Sequence, residues 1–190
     1  MGGSRLRAVV LTLRASGPDR AADREALVAA VASATGAEVA AVRAGRVCGH
    51  CAATDHGRPW AAVHGTAVGV SLARTTGTVA LAVGPGPLGV DVERVSRVAA
   101  WPLDAFTDGE RRRAGDDPAL LAAAWAGKEA VLKRDGRGLR VDPSAVDVDV
   151  AAGVARLEGV EHPVTFCRPT PDLVVAIAAD GVPVVSSGGV

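Results

Sequence analysis

The sequence predicts an α+β protein made of two similar halves, and three observations carry that expectation. A chain of 190 residues with 48% hydrophobic side chains and mean hydropathy +0.23 can bury a core and is too apolar to stay disordered. Short valine-rich runs alternate with capped helical stretches in the order strand, helix, strands, and that order occurs twice. Between the two series, Gly84-Pro85-Gly86-Pro87 breaks the chain, because proline withholds a donor and glycine admits turn conformations. The division is placed there, into residues 1–87 and 88–190.

Element by element, Leu6 to Leu13 reads as a first strand. Asp23 or Asp19 can cap a helix from about Arg24 to Thr35, which Gly36 closes. Val39 to Val47 alternates weakly as a strand, and Cys48 to Pro59 is polar loop. Val68 to Leu72 and Thr78 to Val83 read as strands joined at Thr75-Thr76-Gly77. Leu88 to Val92 is a buried strand, followed by helical chain to Phe106 and a helix from Asp108. Pro118 suits the first turn of the longest helix, which runs to about Arg134. Beyond the glycines at 136 and 138, short strands are expected at Val146–Val150, Ala155–Leu157, Val164–Phe166 and Leu173–Ala178.

Bulk properties exclude several classes. Basic and acidic side chains balance at 21 each, which gives no electrostatic footprint for nucleic acid. No apolar run approaches the roughly 18 residues of a membrane span, and Met1-Gly2-Gly3-Ser4-Arg5 does not open a signal peptide. A cytoplasmic, monomeric protein is expected, and three cysteines fit a reducing compartment.

Lysine usage then singles out one stretch. Of the basic side chains only Lys128 and Lys133 are lysines, both within Trp125-Ala126-Gly127-Lys128-Glu129-Ala130-Val131-Leu132-Lys133. A lysine ammonium is a compact charge that can share its proton, whereas an arginine fork cannot. On a helix, Trp125, Glu129 and Lys133 form a stripe. In the strand Gly89-Val90-Asp91-Val92-Glu93, alternation puts both acids on one face and both valines into the core. If helix and strand lie side by side, Asp91, Glu93 and Glu129 converge, and a Mg²⁺ ion would relieve their repulsion. The bland alternative is a solvated strand end beside an ordinary Glu–Lys helix pair. Cys48-Gly49-His50-Cys51 with His56 has zinc-ligand residue types. A single CxxC with no second segment folding back argues for free thiols instead. Arg111-Arg112-Arg113 reads as a solvated helix face.

Taken in order, Gly89-Val90-Asp91-Val92-Glu93, Phe106-Thr107-Asp108-Gly109-Glu110, the Trp125–Lys133 stretch and Gly136-Arg137-Gly138-Leu139 resemble the 4′-phosphopantetheinyl transferase family. His56-Gly57-Arg58-Pro59 and Val70-Ser71 resemble further segments of it. The length is similar to that of the larger single-chain members, which pack two α/β halves as an internal pseudo-dimer. The resemblance implies transfer of the phosphopantetheine arm of coenzyme A to a serine of an acyl or peptidyl carrier protein, releasing 3′,5′-ADP. It implies that Asp91, Glu93 and Glu129 hold Mg²⁺, and that Glu129 takes the serine proton directly or through a metal-bound water. Lys133 would neutralise or protonate the departing phosphate, with Lys128 on the phosphates too. Arg58, Ser71, His56 and Arg24 would hold the nucleotide in the first half, and the second half would supply metal and catalysis. Where the family usually has Ser-His-Ser, this chain reads Ser71-Leu72-Ala73, and Arg74, two positions on, is expected to replace the histidine. The carrier is expected on Val95, Val98, Trp101, Leu103 and Phe106, steered by Arg94, Arg97 and Arg111 to Arg113. The alternative is a non-catalytic relative that binds carrier protein or CoA without transfer.

Overall fold

Two antiparallel-rich sheets and two long helices make up the computed structural model, which describes residues 6–100 and 103–187. The first sheet begins with β1 (Val9–Ala15), and the chain then enters α1 (Arg20–Thr35). Asp19 caps α1 by accepting from the Ala22 N–H at 2.9 Å, and Gly36, at φ 68°, closes it. Strands β2 (Val42–Val47), β3 (Arg58–Val63), β4 (Thr66–Thr75) and β5 (Thr78–Gly84) follow as hairpins. After the Gly-Pro turn come β6 (Gly89–Arg94), the short α2 (Val95–Val98), α3 (Asp108–Ala114) and α4 (Pro118–Asp135). The chain ends with β7 (Val146–Asp149), β8 (Val154–Leu157), β9 (Val160–Thr170), β10 (Leu173–Ala178) and β11 (Val184–Ser186).

The sheets share one connectivity. The first runs β11-β1-β5-β4-β3-β2 and the second β6-β10-β9-β8-β7, so strand, helix and four further strands occupy equivalent places in each. β11 departs from that plan by returning to lie parallel beside β1. Side-chain alternation explains the layering. On β10, Leu173, Val175 and Ile177 pack with Val90 and Val92 of β6 and with Val9, Leu11, Ala80 and Ala82 of the first sheet. Val174, Ala176 and Ala178 face the other way, onto Ala122, Ala126 and Ala130 of α4. A strand buried on both faces needs a continuous apolar run, and Leu-Val-Val-Ala-Ile-Ala supplies it. α1 covers the outer face of the first sheet with Leu27, Ala30 and Val31 against Val79, Leu81 and Val83.

One close approach positions the functional residues. A Cβ on Gly89 would stand 1.9 Å from the carbonyl oxygen of Ala130 and 2.7 Å from the amide nitrogen of Arg134. Only glycine lets α4 lie directly on β6, so residues 91 and 93 come level with residues 129 and 133. The alanine-rich inner face of α4 serves the same end.

Several expectations shift. The cap is Asp19, so α1 starts four residues early, and Asp23 is instead buried within the helix. A 3₁₀ turn at Val39–Ala41 delays β2. Two strands escaped the sequence reading. β3 carries a proline and few β-branched residues, and it is joined to β4 through His64 and Gly65, both at positive φ (48° and 80°). β11 is only three residues long. No helix among the described residues is long and apolar enough to cross a membrane.

Candidate active site

The alternation read from Gly89–Glu93 holds. Asp91 and Glu93 share the α4 side of β6, and both are buried. Lys133 Nζ donates to Asp91 Oδ1, while Asp91 Oδ2 is buried without any hydrogen-bond partner. Glu93 is gripped on both oxygens by Arg97, at 2.9 and 3.2 Å, and Trp125 Nε1–H donates to it at 3.2 Å. Arg97 and Trp125 are thus positioning groups for the acid. Trp125 itself is set by an edge-on contact with Phe106, centroids 6.4 Å apart.

Burial raises all three acids, and the charge on Asp91 reaches both Glu93 and Glu129. Burial pushes the Asp91 carboxyl up, against the opposing charge of Lys133. Burial also raises Glu93, and the charge on Asp91 adds to it. Glu129 is raised by burial, held back by Lys133, and pushed further by Asp91 and Glu93. Three carboxyls held above their usual range, one with an orphaned oxygen, are oxygen donors of the type that a hard divalent cation such as Mg²⁺ takes.

Beside the acids lies a cleft of about 390 Å³ into which Lys133 also projects. Its lining includes Arg46, Arg58, Arg137, Arg140 and His50, together with Ser71 and Leu72. Among the described residues, no acidic side chain lines it. Ser71 Oγ accepts the Val90 N–H at 3.0 Å, which ties β4 to β6 and leaves the hydroxyl proton to donate. Arg58 reaches the carbonyl of Arg134 at 3.4 Å, at the C-terminal end of α4. Arg46, Arg137 and Arg140 were missed by the sequence reading. The Gly136-Arg137-Gly138 punctuation was their one signal, since glycines beyond a helix end often shape a ligand-facing turn.

Four expected site residues lie elsewhere. Lys128 is fully buried, its ammonium bonded to Glu110 Oε2 at 2.7 Å, to the Pro143 carbonyl at 3.0 Å and to the Val146 carbonyl. Three protons meet three acceptors, so none is left for a phosphate. Its partner Glu110 also accepts from Thr107 and Val148 N–H, each at 2.8 Å. Thr107-x-x-Glu110 is a capping box, legible in the sequence, although its buried lysine partner was not. Arg74 turns to α1, bonding buried Asp23 at 3.0 Å and the Gly17 carbonyl at 2.5 Å. Arg24 Nε donates to the Ala44 carbonyl at 2.9 Å and is not among the cleft residues. His56 bonds Asp55 and Cys51, outside the cleft lining.

The expected carrier surface also changes. Val98 and Phe106 are core residues, and Val95 packs against them. Arg94 holds the Thr76 carbonyl and Asp172, and Arg113 holds Asp147. Trp101 lies outside the described residues. Because Arg74 neutralises a buried carboxylate, Arg74→Ala is expected to destabilise the fold by about 1–3 kcal/mol, seen as a lower unfolding midpoint. Ligand affinity in the cleft should stay as it was.

Hard oxygen donors next to a cationic cleft are the equipment of phosphoryl transfer, which depends on positioning and charge neutralisation. The comparison with protein families agrees. Residues 87–177, which hold Asp91, Glu93, Glu129 and Lys133, match the model of the 4′-phosphopantetheinyl transferase superfamily. That family comprises transferases that use coenzyme A to activate carrier proteins. No curated protein is similar enough to this chain to count as a relative.

Proposed function

We propose that the protein transfers the 4′-phosphopantetheine arm of coenzyme A to a serine of an acyl or peptidyl carrier protein, with Mg²⁺, as a cytoplasmic monomer. The observation that carries this reading is the orphaned buried oxygen of Asp91, with Lys133 bonded to the same carboxylate and lining the cationic cleft, while Glu129 feels the charges of Asp91 and Glu93. A Mg²⁺ held by those three acids would neutralise them together with the pyrophosphate of coenzyme A. The cleft arginines and Ser71 bind and orient the nucleotide. Leu72 offers no hydrogen bond where relatives place histidine, and Arg46, Arg137 and Arg140 supply the compensating charge. Glu129, which is half-buried where Asp91 and Glu93 are buried, accepts the proton of the carrier serine. The serine oxygen–phosphorus bond then forms as the pyrophosphate bond breaks, and 3′,5′-ADP leaves with its charge met by Lys133. In this reading residues 1–87 and 88–190 are related halves, the first on the nucleotide side.

The test is mass spectrometry of a panel of apo carrier proteins incubated with the protein, CoA and Mg²⁺. A gain of one phosphopantetheine arm is expected, lost when Mg²⁺ is chelated. Binding of CoA or carrier with no mass gain in any member would favour the non-catalytic reading. Lys133→Arg keeps the charge but can neither share a proton nor fit the compact contact with Asp91. Its kcat is expected to fall about 10²- to 10⁴-fold, the usual worth of a positioned proton donor.

A further inference from the structure

The polar loop between β2 and β3 folds into a cluster that the transfer reaction does not use. Cys48 Sγ, Cys51 Sγ and a ring nitrogen of His56 all lie within 4.8 Å of one another. The second segment whose absence argued for free thiols is supplied by the chain that returns through His56 and Gly57. The Ala52 N–H donates to the Cys48 carbonyl at 3.0 Å, and the Cys48 N–H to the Ala53 carbonyl at 2.9 Å, so the loop closes on itself. Gly57, at φ 96°, then lets the returning chain cross Cys48. A Cβ there would stand 2.3 Å from the Val47 carbonyl and 2.5 Å from Cys48 Cα. Arg20 holds the Asp55 carbonyl at 2.9 Å and Arg46 the Gly57 carbonyl at 3.0 Å, pinning the return.

We propose that Cys48, Cys51 and His56 bind a thiolate-preferring divalent cation, Zn²⁺ by chemistry, with Asp55 orienting the histidine. Two cysteines and an imidazole select zinc over magnesium or calcium. Bond lengths of about 2.3 Å to sulfur and about 2.0–2.1 Å to nitrogen put tetrahedral ligands about 3.6–3.8 Å apart. Cys51 Sγ and His56 Nε2 are 3.5 Å apart. His56 Nδ1 donates to Asp55 Oδ1 at 2.7 Å, which leaves Nε2 as the nitrogen with a lone pair for metal. A carboxylate in that place commonly fixes the ring of a metal-binding histidine. Three protein ligands leave a fourth position for solvent. Cys48, Gly49 and His50 also line the cleft, so the ion clamps the rim that presents His50 and Arg58. The metal ligands themselves take no part in the proposed transfer reaction.

The test uses the reduced, metal-stripped protein and Co²⁺ alone as the probe. One equivalent should give a near-ultraviolet thiolate-to-cobalt band, absent in Cys51→Ser and removed by Zn²⁺. Co²⁺ on the carboxylates of the β6–α4 site gives no such band. Asp55→Asn should weaken Zn²⁺ binding about 10- to 100-fold while the fold is kept. Because a variant can misfold, thiol reactivity of the unaltered protein supplies a second reading. Zn²⁺ should protect two of the three thiols, with Cys167 as the internal reference. No cobalt–thiolate band, or thiols that react equally fast with and without Zn²⁺, would overturn the proposal.

Discussion

Glu129→Gln is expected to abolish phosphopantetheine transfer and yet make the metal-free protein more stable. Loss of the proposed base alone costs about 10²- to 10⁴-fold in kcat, and a proposed metal ligand is lost with it. The gain in stability follows from the direction of the shifts. Burial holds the Asp91, Glu93 and Glu129 carboxyls above their ordinary values, so the folded chain keeps protons that the unfolded chain releases. A group raised on folding contributes stability at low pH and loses it as pH rises through the unfolded value, about 4, and on through the raised folded value. The contribution of these three acids to the stability of the metal-free protein should therefore fall as pH climbs from about 4 toward neutral. Glu129→Gln should flatten that fall, so that its advantage is absent at pH 4 and largest at pH 7. Mg²⁺ at pH 7 should raise the unfolding midpoint of the wild type more than that of the variant. Calorimetry over that range, with and without Mg²⁺, reads both effects. A variant that transfers normally would remove Glu129 from the mechanism.

Lys128→Ala should be the most damaging single change to the fold, at about 3–5 kcal/mol, the cost of leaving one member of a buried ion pair alone. Glu110 would be left buried between α3, α4 and β7 with only the Thr107 and Val148 amides to meet it. Adding Glu110→Gln removes the stranded carboxyl and should recover part of the loss. Urea unfolding of the single and double variants measures this. If Lys128→Ala unfolded like the wild type and raised KM for CoA instead, the lysine would be a phosphate ligand after all.

The acids were legible because period-two alternation on β6 and the i, i+4 stripe on α4 are local rules, and Gly89 and the alanines of α4 do the rest. Lys128 was misread for an instructive reason. Its rarity marked it out, yet rarity does not say which face of the helix it occupies. Its neighbours in sequence say nothing of Glu110 on α3 or the carbonyls before β7. Arg74 shows the same limit. β4 does continue past Leu72, and residues 72 and 74 do share a face. That face is covered near residue 74 by α1, so the first partner Arg74 meets is Asp23. The missed β3 has a proline and a His-Gly turn in place of stronger strand and hairpin signals. Cleft arginines at 46, 137 and 140 come together only through tertiary packing.

The parallel seat of β11 beside β1 ties the first sheet to the end of the described chain, with a hydrogen bond from Thr12 to Ser187 across 175 positions. During synthesis the outer edge of β1 stays uncovered until nearly all of this sequence has left the ribosome. An open edge of Val-Val-Leu-Thr-Leu invites pairing with another chain. Trimming the segment after β10 to simplify a preparation would bring that exposed edge back in the finished protein.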